Sequence, residues 1–93
     1  MDTYNDVSMA FGEVTAEIGS RKVVVGAKQL RKALTSGAAR RVFLAVNADP
    51  AIIDPIQRLC KNSRVDYAWV RSMTDLGRAC GIEVGAAAAA IVD

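Results

Sequence analysis

Short runs of branched apolar residues alternate along this chain with segments of helical periodicity, and this alternation restricts the fold more than any other feature. Lys22–Val25, Arg41–Val46 and Val65–Val70 each read as a strand. Between the first two, Ala27–Ser36 sets Leu30, Ala33 and Leu34 on one helical face and stops at Gly37. Asp49-Pro50 then supplies an N-cap followed by proline at the first helical position, and Ile52, Ile53, Ile56, Leu59 and Cys60 make the apolar face of a helix spent by Asn62. Upstream, Val7, Ala10, Phe11, Val14 and Ile18 predict an amphipathic helix from about Asp6 to Ile18, with Gly19 past its end. Ser72-Met73-Thr74-Asp75 has the form of a capping box with Asp in place of Glu, opening a short helix that Gly81 ends. The segment Val84–Val92 contains five consecutive alanines, which favour helix on propensity. Three strands already alternating with helices argue instead for a small-residue strand packed tightly beneath them. The expected fold is α/β, a single-domain three-layer α/β/α sandwich over residues 1–93.

Composition removes whole classes of chemistry. A chain of 93 residues suits one domain, and 52% hydrophobic residues give it a core to bury. It has no histidine. Histidine zinc sites, Ser-His-Asp and Cys-His nucleophiles and imidazole bases are therefore excluded. Cys60 and Cys80 are spaced neither as a zinc knuckle nor as a redox pair and read as buried free thiols, at home in a reducing cytoplasm. Asp49, Asp54, Asp66 and Asp75 are dispersed among turns and caps, so no enzyme, metal or cofactor is expected. The apolar runs Gly85–Val92 and Val23–Ala27 are far short of the roughly 20 residues of a membrane helix. The first twenty residues carry acids and no base, the reverse of a secretory leader.

The net charge of +2 conceals a block. Residues 21–41 contain Arg21, Lys22, Lys28, Arg31, Lys32, Arg40 and Arg41 and no acid, whereas residues 1–20 contain Asp2, Asp6, Glu13 and Glu17 and no base. A block of this kind is either a footprint for a polyanion or a solvated face balanced by the acidic segment. Within it, Val25-Gly26-Ala27-Lys28-Gln29 sets a helix N-terminus directly after a strand, with Lys28, Arg31 and Lys32 in its first turns. Cations there oppose the helix dipole, which a bound anion would relieve. The turn is neither a Walker loop nor a dinucleotide fingerprint, and a plain strand–helix connection is the alternative. Further on, Gly81 and Gly85 bracket Ile82-Glu83-Val84, a loop that either packs inward or meets a partner. Tyr4, Phe11, Phe43, Tyr67 and Trp69 form no interleaved basic–aromatic array, so any RNA contact should read folded shape and backbone.

Three stretches, Val25 to Leu34, Phe43 to Pro50 and Leu76 to Ile91, resemble the kink-turn-binding ribosomal protein family, the superfamily of the large-subunit proteins "seven-A-e" and "thirty-e". The likeness runs from about Lys22 to Val92 and is greatest to the short bacterial paralogues; residues 1–20 lie outside it. It implies a mixed sheet inside the sandwich and, as partner, a structured RNA containing a kink-turn: ribosomal RNA, a riboswitch or another. Ribosome association is one implied setting, and neither membrane nor DNA is expected. The family motif Gly-x-Asn-Glu-x-x-Lys falls on Gly26, Ala27, Lys28, Gln29 and Lys32, with Lys28 replacing Asn and Gln29 replacing Glu. Asn47 stands where the family usually has Asp, and Ser36 where it commonly has Arg. Arg78 matches a basic family position, and Ile82, Glu83 and Val84 match the loop that packs on bulged-out nucleotides. The resemblance thus implies Gly26, Ala27, Lys28, Gln29, Arg31, Lys32, Asn47, Arg78, Ile82, Glu83 and Val84 as the RNA-binding set. A protein-interaction module on the same fold is the alternative.

Overall fold

The structure is a computed structural model and describes residues 8–93. Its elements follow in the order α1 (Phe11–Ile18), β1 (Val23–Val25), α2 (Ala27–Ser36), β2 (Ala39–Ala45), α3 (Pro50–Ser63), β3 (Tyr67–Val70), α4 (Met73–Ala79) and β4 (Ala88–Val92). The sheet order is β1-β4-β2-β3. β4 runs antiparallel to both β1 and β2, and β3 runs parallel to β2, so the four-stranded sheet is mixed. α2 packs beside α3 and α1 beside α4, giving the two helical layers of the sandwich.

The alanine segment is a strand because the centre of the sheet needs small side chains. Ala88, Ala89, Ala90 and Ile91 are fully buried in β4, beside Val42, Phe43, Leu44 and Ala45 of β2. Methyl groups on the central strand let both helical layers approach closely while Phe43, Leu30, Ile56 and Leu76 fill the remaining volume. No charged or polar residue is buried among the described residues.

Strand pairing sets where the connections collect. Val25 pairs with Ala89, Leu44 with Ala88 and Ala45 with Val70, so β1, β2 and β3 end where β4 begins. α2, α3 and α4 all start at this end of the sheet, and the segment entering β4 arrives there.

Several expected boundaries are corrected. The first helix begins at Phe11 rather than near Asp6; Asp6 and Val7 lie outside the described residues. Ala10 is extended, with φ −84° and ψ 166°. Met9 is taken by the edge of β3: its N–H donates to the Trp69 carbonyl at 2.7 Å, and its carbonyl accepts from Arg71 N–H at 3.0 Å. β2 begins at Ala39 and ends at Ala45 rather than spanning Arg41–Val46. β3 starts at Tyr67, not Val65, because α3 continues to Ser63. Arg64 closes that helix in the left-handed region at φ 57°, and Val65 N–H donates back to the Cys60 carbonyl at 2.9 Å. The last strand is Ala88–Val92, shorter than the expected Val84–Val92.

Cys60 is buried and Cys80 half-buried, and both are free thiols. Burial pushes the Cys60 thiol up to about 11 and raises that of Cys80, so neither is a poised thiolate at neutral pH. No helix among the described residues is long and apolar enough to cross a membrane.

Candidate nucleic-acid interface

The first part of the site is the start of α2. Gly26 is its N-cap, with φ 100° and ψ 147°, a conformation that a side chain would strain. Its N–H donates to the Ala88 carbonyl at 3.1 Å and its carbonyl accepts from Leu30 N–H at 3.0 Å, which fixes the turn to β4 on one side and to the helix on the other. No side chain caps this helix and no acid lies in its first turn. The N–H groups of Ala27, Lys28 and Gln29 precede the first intrahelical bond and point out of the helix end. Lys28, Gln29, Arg31 and Lys32 are exposed around them.

The basic block divides in three dimensions. At the start of β2, Arg41 Nε pairs with Glu17 Oε1 of α1 at 2.5 Å, and Arg40 pairs with Asp93. That part of the block is balanced internally, and Glu17 is one of the acids of the N-terminal segment. Among the described residues, no carboxylate pairs with Lys28, Arg31 or Lys32.

The second part is the loop between α4 and β4. It doubles back along α4 because Gly77 has no side chain: a Cβ there would overlap the Val84 carbonyl oxygen and lie 3.1 Å from Gly85 Cα. Ile82 N–H donates to the Gly77 carbonyl and Ala86 N–H to the Met73 carbonyl, both at 3.0 Å. These bonds hold Val84 Gly85 and their neighbours as a fixed shelf on the helix. Of the two readings of this loop, inward packing holds for Ile82. Ile82 is half-buried against the core, whereas Glu83 is exposed and Val84 is 71% exposed.

Asn47 joins the loop after β2 to α4. Its Oδ1 accepts from Met73 N–H at 2.8 Å, so the carbonyl half of this amide is engaged at the start of α4. The NH2 group is the half that a ligand acceptor can use. Arg78 is directed elsewhere: its guanidinium lies over the Phe11 ring at 4.7 Å, on the α1 side of α4. Phe11 was legible only as one apolar residue of an amphipathic helix; nothing in its spacing marks it as the seat of an arginine. An isolated helical glycine such as Gly77 likewise gives no sign of the backbone that crosses it.

The site residues therefore fall into three groups. Gly26, Ala27, Lys28, Gln29, Arg31 and Lys32 belong to the α2 turn and its first turns, Asn47 and the loop Ile82, Glu83 and Val84 are tied to α4, and Arg78 braces α4 to α1. The first two groups share one end of the sheet, where β1 and β2 end and β4 begins.

Residues 11–93 match the sequence model of the ribosomal protein L7Ae/L30e/S12e/Gadd45 family. A protein named RNA-binding protein GWCH70_0105, from Geobacillus sp. (strain WCH70), is 49% identical over 71 residues, which is 76% of this chain and 87% of its own length. RNA-binding protein YbxF of Geobacillus stearothermophilus is 44% identical over 71 residues, again 76% of this chain and 87% of that protein. Among solved structures, the Giardia lamblia 15.5kD RNA binding protein superposes with a TM-score of 0.78 at 28% identity, covering 89% of this chain and 70% of that one.

Proposed function

This chain belongs to the ribosomal protein L7Ae/L30e/S12e/Gadd45 family, and from that membership we propose that it is a non-enzymatic RNA-binding protein of the cytoplasm that captures the kinked form of a kink-turn. One observation carries the reading. An uncapped helix start, among cations that pair with no carboxylate of the described residues, stands at the same end of the sheet as a latched loop that leaves Val84 exposed.

The mechanism needs differential affinity and nothing more: a protein that binds kinked RNA better than extended RNA shifts the population toward the kink. Lys28, Arg31 and Lys32 neutralise phosphates and set the register, while the amide groups at the start of α2 accept an anion. Lys28 donates to the O6/N7 edge of guanine and Gln29 donates and accepts at a purine edge, so this pair reads the sheared G·A step. Gly26 lets the RNA backbone approach the turn. Asn47 adds an amide donor, and Ile82, Glu83 and Val84 form the surface on which bulged nucleotides rest. Structured RNA with a kink-turn is the partner, in ribosomal RNA, a riboswitch or another host.

Titration calorimetry with one kink-turn RNA and with the same RNA whose G·A pairs are replaced by Watson–Crick pairs tests this. The kinked RNA should bind more tightly by several kcal/mol, at about 1–3 kcal/mol for each lost bidentate contact. Neutralising three to five phosphates should give a log K against log salt slope of roughly −2 to −4. Equal affinity for the two RNAs would refute kink-turn recognition and leave the protein-interaction module as the better reading.

A further inference from the structure

The proposed contacts account for only part of the basic block. Arg40 and Arg41 are paired internally and Lys28, Arg31 and Lys32 lie on α2, but Arg21 and Lys22 have no carboxylate partner among the described residues. Both are exposed, immediately before β1.

β1 is an edge strand. Val92 N–H donates to the Lys22 carbonyl at 2.9 Å and Gly26 N–H to the Ala88 carbonyl at 3.1 Å, which fixes the register of the ladder. Residues 22, 24 and 26 face β4, so the backbone groups of Val23 and Val25 point outward along the free edge. Beside β1 and α2 lies an open groove of about 270 Å³, lined by Lys22, Val24, Gln29, Lys32 and Ser36 among others. Asp93, at the far end, is the one acid of the groove, and Arg40 pairs with it.

We propose that this groove continues the RNA footprint: it carries the phosphate backbone of one double-helical stem from Gln29 and Lys32 down to Lys22. The proposal rests on the kink-turn reading for its upper end, where Gln29 and Lys32 belong to both sites. The groove itself has the chemistry of a backbone track. Lys32 and Lys22 line it at successive levels, the Gln29 amide stands above them, and none of its lining residues is aromatic, so it offers no surface for unstacked bases. Duplex RNA presents this kind of partner, a regular series of phosphates without free base faces. The pairing of Arg40 with Asp93 keeps the far carboxylate from opposing the phosphates.

The proposal has a length built into it. From Gln29 to Ser36 the helix rises about 10 Å along the groove, at ~1.5 Å per residue. At roughly 3 Å of helix axis per base pair, that distance is spanned by about four base pairs. Lys22 should therefore matter only for RNAs whose stem reaches the lower end.

The test compares wild-type protein with Lys22→Gln on two kink-turn RNAs, one with a stem of ten or more base pairs on this side and one cut to three. On the long stem, Lys22→Gln should weaken binding about threefold near 0.1 M salt and flatten the salt slope by about one unit or less. On the short stem the two proteins should bind alike, and their melting temperatures should agree. A loss of the same size on both stems, or no loss on the long one, would overturn the groove. A plain duplex control separates the two readings. If the wild-type chain fails to prefer kinked RNA yet duplex binding still depends on Lys22, kink-turn recognition falls and the groove stands.

Discussion

Three helices start at the same end of the sheet, and two of them are closed by the chain itself. At α3, the Asp49 carboxylate accepts from Ala51 N–H at 2.9 Å and Pro50 removes one donor. At α4, Ser72 Oγ accepts from Asp75 N–H at 3.0 Å, Asn47 Oδ1 takes Met73 N–H, and Asp75 adds an acid to the first turn. α2 has none of this: glycine at the cap, no side-chain acceptor, and Lys28 in place of an acid. A helix start without partners is a local loss of about 1 kcal/mol relative to a capped one, so the contrast between α2 and α4 is what the proposed role of α2 has to explain.

The largest effect should come from Gly77→Ala, which attacks the loop latched on α4. In an ordinary helix this change stabilises by roughly 1 kcal/mol through propensity. Here the new methyl group meets the Val84 carbonyl, so overpacking should win and the protein should lose about 2 kcal/mol or more in urea unfolding. A stabilised Gly77→Ala protein would mean the loop is not held on α4. Lys28→Glu addresses the open end and should move two readouts in opposite directions. An acid in the first turn of α2 should raise stability by about 0.3–1 kcal/mol, while RNA binding weakens roughly thirtyfold, or about 2 kcal/mol. If both fall together, α2 is no more open to a ligand than α4. Ser72→Ala removes a cap at α4 and should cost about 1 kcal/mol of stability, with RNA affinity of the folded molecules unchanged. The smallest stability effect belongs to Val84→Ala, within about 0.5 kcal/mol by thermal unfolding, accompanied by a several-fold loss of kink-turn affinity. Lower stability with intact affinity would place Val84 with the core.

What was legible in the sequence follows the range of the physics involved. Asp49-Pro50, Gly37 and Ser72 act within one helical turn, and the starts of α3 and α4 and the end of α2 were read from them. The alternation of apolar runs gave the sandwich. Pairing order and direction were not readable from spacing, because β1 meets β4 across most of the chain. The same holds for boundaries set by contacts: Met9 was drawn out of the helical pattern by the edge of β3, and Val84 was drawn off the last strand by Gly77. For the site, the α2 turn was visible as glycine followed by cations. The engagement of Asn47 by Met73 and the seating of Arg78 on Phe11 depend on which helices become neighbours, and no local pattern records that.

The alanine-rich strand at the centre of the sheet also has a consequence in time. β4 joins β1 to β2, yet of the described elements it is the last to be synthesised. A nascent chain that has produced everything through α4 can pair only β2 with β3. β1 remains without a strand partner, and the turn into α2 is not yet fixed, since Gly26 is anchored by the Ala88 carbonyl. Closing Val23 onto Ile91 is a long-range step, slow relative to the local turns, and the barrier to folding should be dominated by it. The cationic end of α2 therefore acquires its geometry in the same event that completes the sheet, and an incomplete chain would carry the charge of the site without its shape.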